Sequence, residues 1–525
     1  MKFLENITLK KKKVDEPVSV KNISKNIDEN VTKIKNELGD ASDLFINFSK
    51  TNDNEGLGYV MIYINTMVDS NIMSDLSIEL KEILKLKPNI SKPEDYGDTL
   101  FDYFSGFRSC SQGSEIADVC NELISGSVVI FVEGCSKFLS IKMKAVQARA
   151  IEEPTSQTII RGPKEGFTER IDINIGLIRK KIKSRDLRVE NLSVGSVTNT
   201  TVSLVYIEGI VKDEILQEIK NRISKIKIDG IFDGGYIEEM IKDDRYSIFP
   251  TFMNSEKPDA VAGALLEGRV AILVDGTPYV LTAPALFVEF FQVSEDYYHN
   301  FIITSMLRLL RAVALILTLL VPGTFVALIT FHQEMIPTAL LISIAAQREG
   351  IPFPALIEAL LMETTFELLR EAGIRMPKAI GPAMGIIGAL VLGQAAVEAG
   401  IISSVMVIIV AITAIAGFGI PSYEMSNTIR LIRFALMFMA GMLGLYGVFM
   451  GLIVLVLHVC KLKSIGVPYL TPVAPKINGG NKDTIFRFPF WSMKYRPAGI
   501  SGTSAARVDG DETVTPSQKE KQEFR

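Results

Sequence analysis

The chain is poor in the residues that usually carry chemistry. Its 525 residues hold three histidines, four cysteines and one tryptophan. Cys110, Cys120, Cys135 and Cys460 form no C-x-x-C pair, and only His299, His332 and His458 are there to join them. That excludes an ordinary structural zinc site, and the thiols read as free in a reducing compartment. There is no G-x-x-x-x-G-K phosphate loop, no G-x-S-x-G elbow and no H-E-x-x-H pair. Catalysis is therefore not supported, and no cofactor or metal is expected. His332-Gln333-Glu334 falls at the end of an apolar stretch and reads as interfacial. A net charge of −4 gives no bias toward nucleic acid. Met1-Lys2-Phe3-Leu4 is followed by Lys10–Lys13 with no apolar run between, so no signal peptide is expected and the N-terminal half should stay in the cytoplasm.

What is present is segregated. Charged residues make up 22% of the chain, yet mean hydropathy is +0.26. Polar residues dominate to about Tyr298, and apolar ones dominate residues 312–459. The expected architecture is an α/β soluble N-terminal region of two subdomains, followed by an all-α transmembrane bundle of 4–5 helices. Residues 1–35 read as a mobile N-terminal extension whose Lys10–Lys13 run could touch anionic lipid. Residues 36–145 and 146–300 read as the two subdomains. In the first, 44–46, 60–64 and 127–132 are strand-like and 73–86 helical. In the second, 201–207 and 270–274 are strand-like, 211–226 is an amphipathic helix, and Asp275-Gly276 marks a hairpin. Residues 301–460 form the transmembrane domain, 461–499 a polar segment, and 500–525 a disordered tail. In the polar segment, Arg487-Phe488-Pro489-Phe490-Trp491 is suited to packing on the soluble domain.

Four stretches read as spans: 312–331, 380–397, 401–420 and 434–459. Pro322-Gly323 inside the first marks a kink or hinge. Residues 334–377 are ambiguous. Pro352 and Pro354 interrupt them, and the helical part carries Glu358, Glu363 and Glu367, so the piece is either a fifth span or re-entrant. Arg308 and Arg311, then Arg370, Arg375 and Lys378, then Arg430 and Arg433 mark cytoplasmic ends. If all three clusters are cytoplasmic, the Glu-bearing segment crosses, but Lys461 and Lys463 then fall outside, against the rule.

A carboxylate at membrane depth costs a few kcal/mol and normally faces a bundle interior or water. Glu363 and Glu367 share a helix face, with Glu358 about 140° round from Glu363. In a homo-oligomer such a face becomes a ring of carboxylates, which favours cations. The alternative is an interfacial helix with its acids paired to Arg370 or Arg375. Gln394 and Glu398, one turn apart, are a candidate polar step in an ion path. Gly381, Gly385, Gly388 and Gly393, then Gly441, Gly444, Gly447 and Gly451, recur mostly at three- and four-residue spacing and read as close-packing positions. Arg161-Gly162-Pro163-Lys164-Glu165-Gly166-Phe167-Thr168-Glu169 lacks the spacing of a phosphate cradle and reads as a linker or subunit-interface loop.

These residues also carry a family resemblance. The run from Glu153-Pro154 through Arg161-Gly162-Pro163 and Gly166-Phe167-Thr168-Glu169 resembles the A subunit of GerA-type nutrient germinant receptors of spore-forming Firmicutes. The match continues through Tyr206-Ile207-Glu208-Gly209, Pro258-Asp259, Leu266-Glu267-Gly268-Arg269, Asp275-Gly276-Thr277-Pro278 and Ser294-Glu295-Asp296-Tyr297-Tyr298. It goes on through Thr330-Phe331-His332-Gln333-Glu334-Met335-Ile336-Pro337, Arg348-Glu349-Gly350, Arg370-Glu371-Ala372-Gly373 and Gly393-Gln394-Ala395-Ala396-Val397. It covers residues 36–495. Lys257 stands where Arg is expected before Pro258-Asp259, and Thr155-Ser156-Gln157 replaces a more acidic run. The resemblance implies a multi-pass protein of the spore inner membrane with its N-terminal domain on the core side. It implies a transporter-like B subunit and a lipoprotein C subunit as partners. It further implies a homo-oligomer, a pentamer, that conducts monovalent cations when a nutrient is bound. Two other readings stay open: a secondary transporter, and a membrane scaffold that conducts nothing.

Overall fold

Runs of β-branched and aromatic residues become strands here, and amphipathic runs become helices laid on them. The computed structural model describes residues 22–50, 58–86, 94–143, 154, 157, 159–376, 393–476, 482–497, 499–502 and 506–507. The first subdomain runs α1 (Ile27–Leu38), β1 (Leu44–Lys50), β2 (Gly58–Ile64), α2 (Ser70–Leu86), α3 (Glu94–Ser105), β3 (Cys110–Gly113), α4 (Ile116–Ile124), β4 (Ser127–Val132), β5 (Phe138–Lys142). Its five strands pair antiparallel in the order β1-β2-β4-β5-β3. Leu76, Leu80, Leu100 and Phe104 cover one face of the sheet, and Ile34 and Leu123 the other. β4 is buried along its whole length, which is why its sequence is an unbroken apolar run.

α1 corrects the expectation of a mobile stretch to residue 35. Asn26 caps it by accepting from the Asp28 N–H, and Ile27, Val31, Ile34 and Leu38 are buried at helical spacing. The surrounding Lys, Asn and Asp residues conceal that stripe in the composition. Residues 1–21, including the Lys10–Lys13 run, lie outside the described residues.

The second subdomain runs α5 (Ile171–Lys181), β6 (Leu187–Val194), β7 (Thr200–Ile207), α6 (Asp213–Ser224), α7 (Gly234–Ile241), β8 (Met253–Ser255), α8 (Pro258–Leu266), β9 (Val270–Val274), β10 (Val280–Ala283). Its sheet order, β6-β7-β9-β10-β8, is that of the first subdomain over again. The repeat reaches single bonds. The Asn30 side chain bridges the Ser24 backbone, its Oδ1 accepting from the Ser24 N–H and its Nδ2 donating to the Ser24 carbonyl; Asn174 does the same to Thr168. The Gly134 N–H donates to the Lys25 carbonyl, and the Gly276 N–H to the Glu169 carbonyl, with both glycines at positive φ in the hairpin turn. The chain therefore contains a duplicated unit.

The units are joined by a buried bidentate pair, Arg179 to Asp43 at 2.5 and 2.7 Å. Beside it a Cβ on Gly176 would come within 2.3 Å of the Thr66 carbonyl oxygen.

The helical region runs α9 (Phe301–Phe331), α10 (Thr338–Arg348), α11 (Ala355–Arg375), α12 (Gly393–Glu398), α13 (Ser404–Phe418) and α14 (Tyr423–Lys461). α9 and α14 are long and apolar enough to cross a membrane, and α13 is a shorter apolar helix. The expected span 312–331 is the greater part of α9, which runs unbroken through Pro322. The expected span 401–420 contains α13. Residues 377–392, with most of the expected span 380–397 and with Gly381, Gly385 and Gly388, lie outside the described residues.

The stretch 434–459 is not the single pass expected. At Gly444 the backbone takes φ 63° and ψ −146°, a conformation open to glycine alone, and the helix reverses. The second arm lies back on the first. A Cβ on Gly447 would meet the Met439 carbonyl oxygen at 2.2 Å, and one on Gly451 would meet Leu436. Both open ends touch the soluble domain: Thr428 donates to the Ile248 carbonyl, and His458 contacts Ser247. The tip lies against Phe331 and His332 at the far end of α9. Because both arms are apolar, hydropathy alone reads them as one span.

After α14 the chain returns to the second subdomain through β11 (Lys463–Ser464) and β12 (Val467–Pro468). Ile465, Val467 and Ile500 enter one face of its core, Ser501 bridges Val211, and the Gly502 N–H donates to the Ile210 carbonyl at 2.6 Å. The expected disorder from residue 500 is corrected to that extent, while residues 508–525 lie outside the described residues.

Candidate functional site among the apolar helices

α11 is apolar over its first two turns apart from Glu358, carries Glu363, Glu367, Arg370, Glu371 and Arg375 beyond them, and lies antiparallel to the first arm of α14. Leu356 fills the space over Gly441, Glu363 faces Arg433, and Glu367 faces Arg430 and Arg433. Glu363 and Arg433 are almost fully buried, with Oε2 and Nη2 2.7 Å apart. Yet neither Glu363 oxygen, nor the Arg433 Nε, has a hydrogen-bond partner among the described residues. Glu367 accepts from Arg370 Nε at 2.8 Å and from Arg433 Nη2 at 3.3 Å, with Arg430 Nε 3.7 Å away. Two carboxylates thus stand among three guanidinium groups. Such a cluster is costly to bury and costlier to split, since removing one partner strands a charge.

Glu358 is placed differently, on the other side of the helix. It is fully buried and satisfied, accepting from Arg348 Nη1 at 2.9 Å and from the Ser403 N–H and hydroxyl at 2.7 and 2.5 Å. It clamps the α10–α11 corner to the start of α13. Gln394 is not brought to either cluster; it is exposed and donates to Glu398 at 2.9 Å. Arg375 pairs with Glu371 rather than with the three glutamates. Sequence reasoning found the acids and, in its interfacial alternative, the Arg370 partner of Glu367, but it missed the partners on α14. Arg430 and Arg433 were read only as markers of a membrane end, although arginines bordering an apolar stretch across from a Glu-bearing helix were a usable signal.

The Arg161–Glu169 loop lies along the second subdomain. The Arg161 N–H donates to Glu295 Oε1 at 3.0 Å, and Gly162, at φ 134°, sits where a Cβ would strike the Tyr298 ring. Gly166 and Phe167 are buried, Pro163 half-buried, and the Glu169 carbonyl closes the Gly276 turn. The loop thus rests on Glu295 and Tyr298, just before α9.

There a latch ties the soluble domain to the helices. Asp296 accepts from Arg308 Nε at 3.0 Å and Arg311 Nη1 at 2.8 Å. Asp483, from the C-terminal segment, accepts from Arg308 Nη1 and the Tyr297 hydroxyl, both at 2.7 Å. Burial beside Asp483 raises the Tyr297 phenol well above its ordinary range. Next to the latch is a cavity of about 500 Å³, walled by α8, residues 289–298 and the C-terminal residues Phe490, Met493, Arg496 and Arg507. Asp259 and Arg269 line it, and the buried Asp259 Oδ1 and Arg269 Nε have no hydrogen-bond partner among the described residues. Burial pushes the Glu289 carboxyl up to about 7, against the opposing pull of Arg269. Nothing in the sequence pattern warns of this cavity, because its walls come from segments some 200 residues apart.

Similarity to known proteins is extensive. The pattern of the family described as Bacillus/Clostridium GerA spore germination protein matches residues 32–499. Spore germination protein KA of Bacillus subtilis (strain 168) is 44% identical over 509 residues, which cover 94% of this chain and 90% of that protein. Spore germination protein GerLA of Bacillus cereus is 41% identical over 399 residues, 76% of this chain and 81% of that one. A crystal structure of the N-terminal domain of the A subunit of the Bacillus megaterium spore germinant receptor GerK3 shares 35% identity. That match covers 51% of this chain and 98% of that domain, with a TM-score of 0.41.

Proposed function

This chain belongs to the Bacillus/Clostridium GerA spore germination protein family, and on that premise we propose that it is the A subunit of a nutrient germinant receptor. It sits in the spore inner membrane with B and C partner subunits, and it forms an oligomer, a pentamer, that passes monovalent cations when nutrient is sensed. The reversal at Gly444 supports a multi-pass reading that the Lys and Arg pattern alone left inconsistent. With α14 as a hairpin, Lys461 and Lys463 join Arg308, Arg311, Arg370, Arg375, Arg430 and Arg433 at the end of the helices nearest the soluble domain. That is the positive-inside arrangement, with the soluble domain in the spore core and the chain finishing on the side where it began.

The observation that carries the channel reading is the buried Glu363–Arg433 pair, which lacks hydrogen-bond geometry. Here the carboxylates are held by arginines, so this conformation is the closed one. Moving α11 away from the first arm of α14 frees Glu363 and Glu367 to line a cation path. Nutrient sensing drives that motion through the latch at Asp296, Arg308 and Asp483. The test is nutrient-triggered K⁺ efflux from vesicles holding the chain with its partners. Exchanging both Glu363 and Glu367 for Gln should abolish efflux or its gating, and unchanged efflux sinks the carboxylate path. The complete satisfaction of Glu358 favours a second reading, a rigid scaffold. That reading predicts assembly with the partners and no conductance at all.

A further inference from the structure

The C-terminal segment presents large apolar side chains to the outside just where α9 begins. Ile485, Phe486, Phe488, Phe490, Trp491 and Tyr495 are each 45% to 74% exposed. The backbone beneath them is firmly held. Arg487 donates to the His299 carbonyl at 2.9 Å, and the Arg487 N–H donates to the Ser305 hydroxyl at 3.1 Å. Asp483 holds Arg308 and Tyr297, and the Trp491 ring meets Phe301 edge-on at 5.9 Å. The chain thus uses half-buried polar bonds to hold exposed aromatics in place, which is the reverse of ordinary folding.

The patch runs on into α9. Ile302, Met306 and Leu310 on the first turns of that helix are 59%, 70% and 63% exposed, so the apolar surface continues from the segment onto a helix long enough to cross a bilayer. Residues 482–496 carry Lys482, Arg487, Lys494 and Arg496 against the single acid Asp483. Aromatics with a cationic surplus at the end of a membrane helix are the composition that favours the headgroup level of a bilayer. From Ile485 to Tyr495 the segment holds one short 3₁₀ turn, Phe490–Ser492, and single bridges at Arg487 and Tyr495, with no strand or amphipathic helix to enter a protein groove.

We infer that residues 485–495 are an interfacial anchor that lies in the headgroup region of an anionic bilayer and fixes the height of the latch at the membrane surface. The inference rests on the multi-pass reading above. Its setting has a consequence for coupling, because Asp483 and Arg487 join the anchored segment to Tyr297, His299, Ser305 and Arg308.

Trp491 is the chain's one tryptophan, so the full-length protein reports on its own anchor. The full chain is placed in vesicles of mixed phosphatidylcholine and phosphatidylglycerol, with acyl chains brominated near the headgroup or near the terminal methyl. Flotation is measured on the same sample. Bromine near the headgroup should quench Trp491 emission by roughly half or more, well beyond bromine near the terminal methyl, with emission shifted to the blue. Quenching by aqueous iodide and by neither lipid overturns the inference. So does protection from all three quenchers, which indicates a covering protein, either a second copy or a partner. A chain that floats with Trp491 unquenched by lipid overturns the anchor alone. A chain that does not float overturns the membrane reading and the anchor together.

Discussion

Asn30 and Asn174 hold the same turn in the two soluble subdomains, and Gly134 and Gly276 close the same hairpin. The copies part company around the helix that precedes the fourth strand. With Gly126 and Gly268 superposed as the two positive-φ residues after α4 and α8, Lys257, Asp259, Glu267 and Arg269 stand opposite Glu115, Ala117, Ser125 and Ser127. The second copy has gained a charged set where the first has mostly small residues. That set lines or adjoins the cavity and pairs Glu267 with Arg507 of the C-terminal segment. The first copy keeps its two apolar faces and packs on the second through Arg179–Asp43. One fold, used twice, thus serves once as a spacer and once as the adaptor to the helices.

That division can be broken at its joint. Exchanging Asp43 for Ala strands the buried Arg179 and should cost about 3–5 kcal/mol, read as a lower melting temperature of the detergent-extracted chain. A loss confined to a few tenths would mean the two copies do not lean on each other. Ile500→Ala tests the asymmetry next. It empties a fully buried position and should cost about 2–5 kcal/mol. Hydrogen exchange should quicken in the second subdomain and stay as it was in the first; equal quickening in both would dissolve the distinction.

The equivalence of the copies is sharpened by Gly134→Ala and Gly276→Ala. Both residues have positive φ, and a Cβ at Gly276 meets nothing within 4 Å, so backbone strain of about 1–2 kcal/mol should be the main cost there, and equivalent turns should show the same cost at Gly134. Unequal melting shifts would show that the two turns are not doing the same job. Last, and small only per pH unit, is a pH dependence belonging to the second copy. Glu238 on α7 has its carboxyl pushed up from 4.5 to about 8, chiefly by burial and next by the charge of Glu424, with Lys242 opposing and Asp233 adding. A raised carboxyl favours the protonated fold. Its contribution is full below the ordinary carboxylate range and is lost as pH rises through about 8. Melting temperature should therefore decline across that interval, and Glu238→Gln should flatten the decline; an unchanged slope would clear Glu238.

Much of this architecture was legible in the sequence. The strand at β4 and the hairpin around Asp275-Gly276 follow from unbroken apolar runs and turn chemistry. The duplication was legible too, in Gly-Ser-Val-Val-Ile-Phe-Val-Glu-Gly at 126–134 against Gly-Arg-Val-Ala-Ile-Leu-Val-Asp-Gly at 268–276, but only when the two subdomains are laid side by side. The reversal at Gly444 was not, because periodicity and hydropathy are the same on both arms and a single backbone angle makes the difference. The acids Glu363 and Glu367 were found, whereas Arg433 lies 66 residues beyond Glu367 and meets it only through the antiparallel packing of α11 and α14. Long-range charge pairing has no local signature.

The seam between Val211 and Ser501 imposes an order on the making of the protein. Residues 500–502 leave the ribosome only after all of 301–461, so the part of the second core that Ile465, Val467 and Ile500 close stays open until every helix has been made, while Ile215, Ile219 and Ile237 of its own helices cover the rest. The first subdomain can close long before. A chain that stalls among the helices therefore carries an apolar gap beside Val211 where Ile465, Val467 and Ile500 belong, a flag by which quality control can tell an unfinished copy from a finished one.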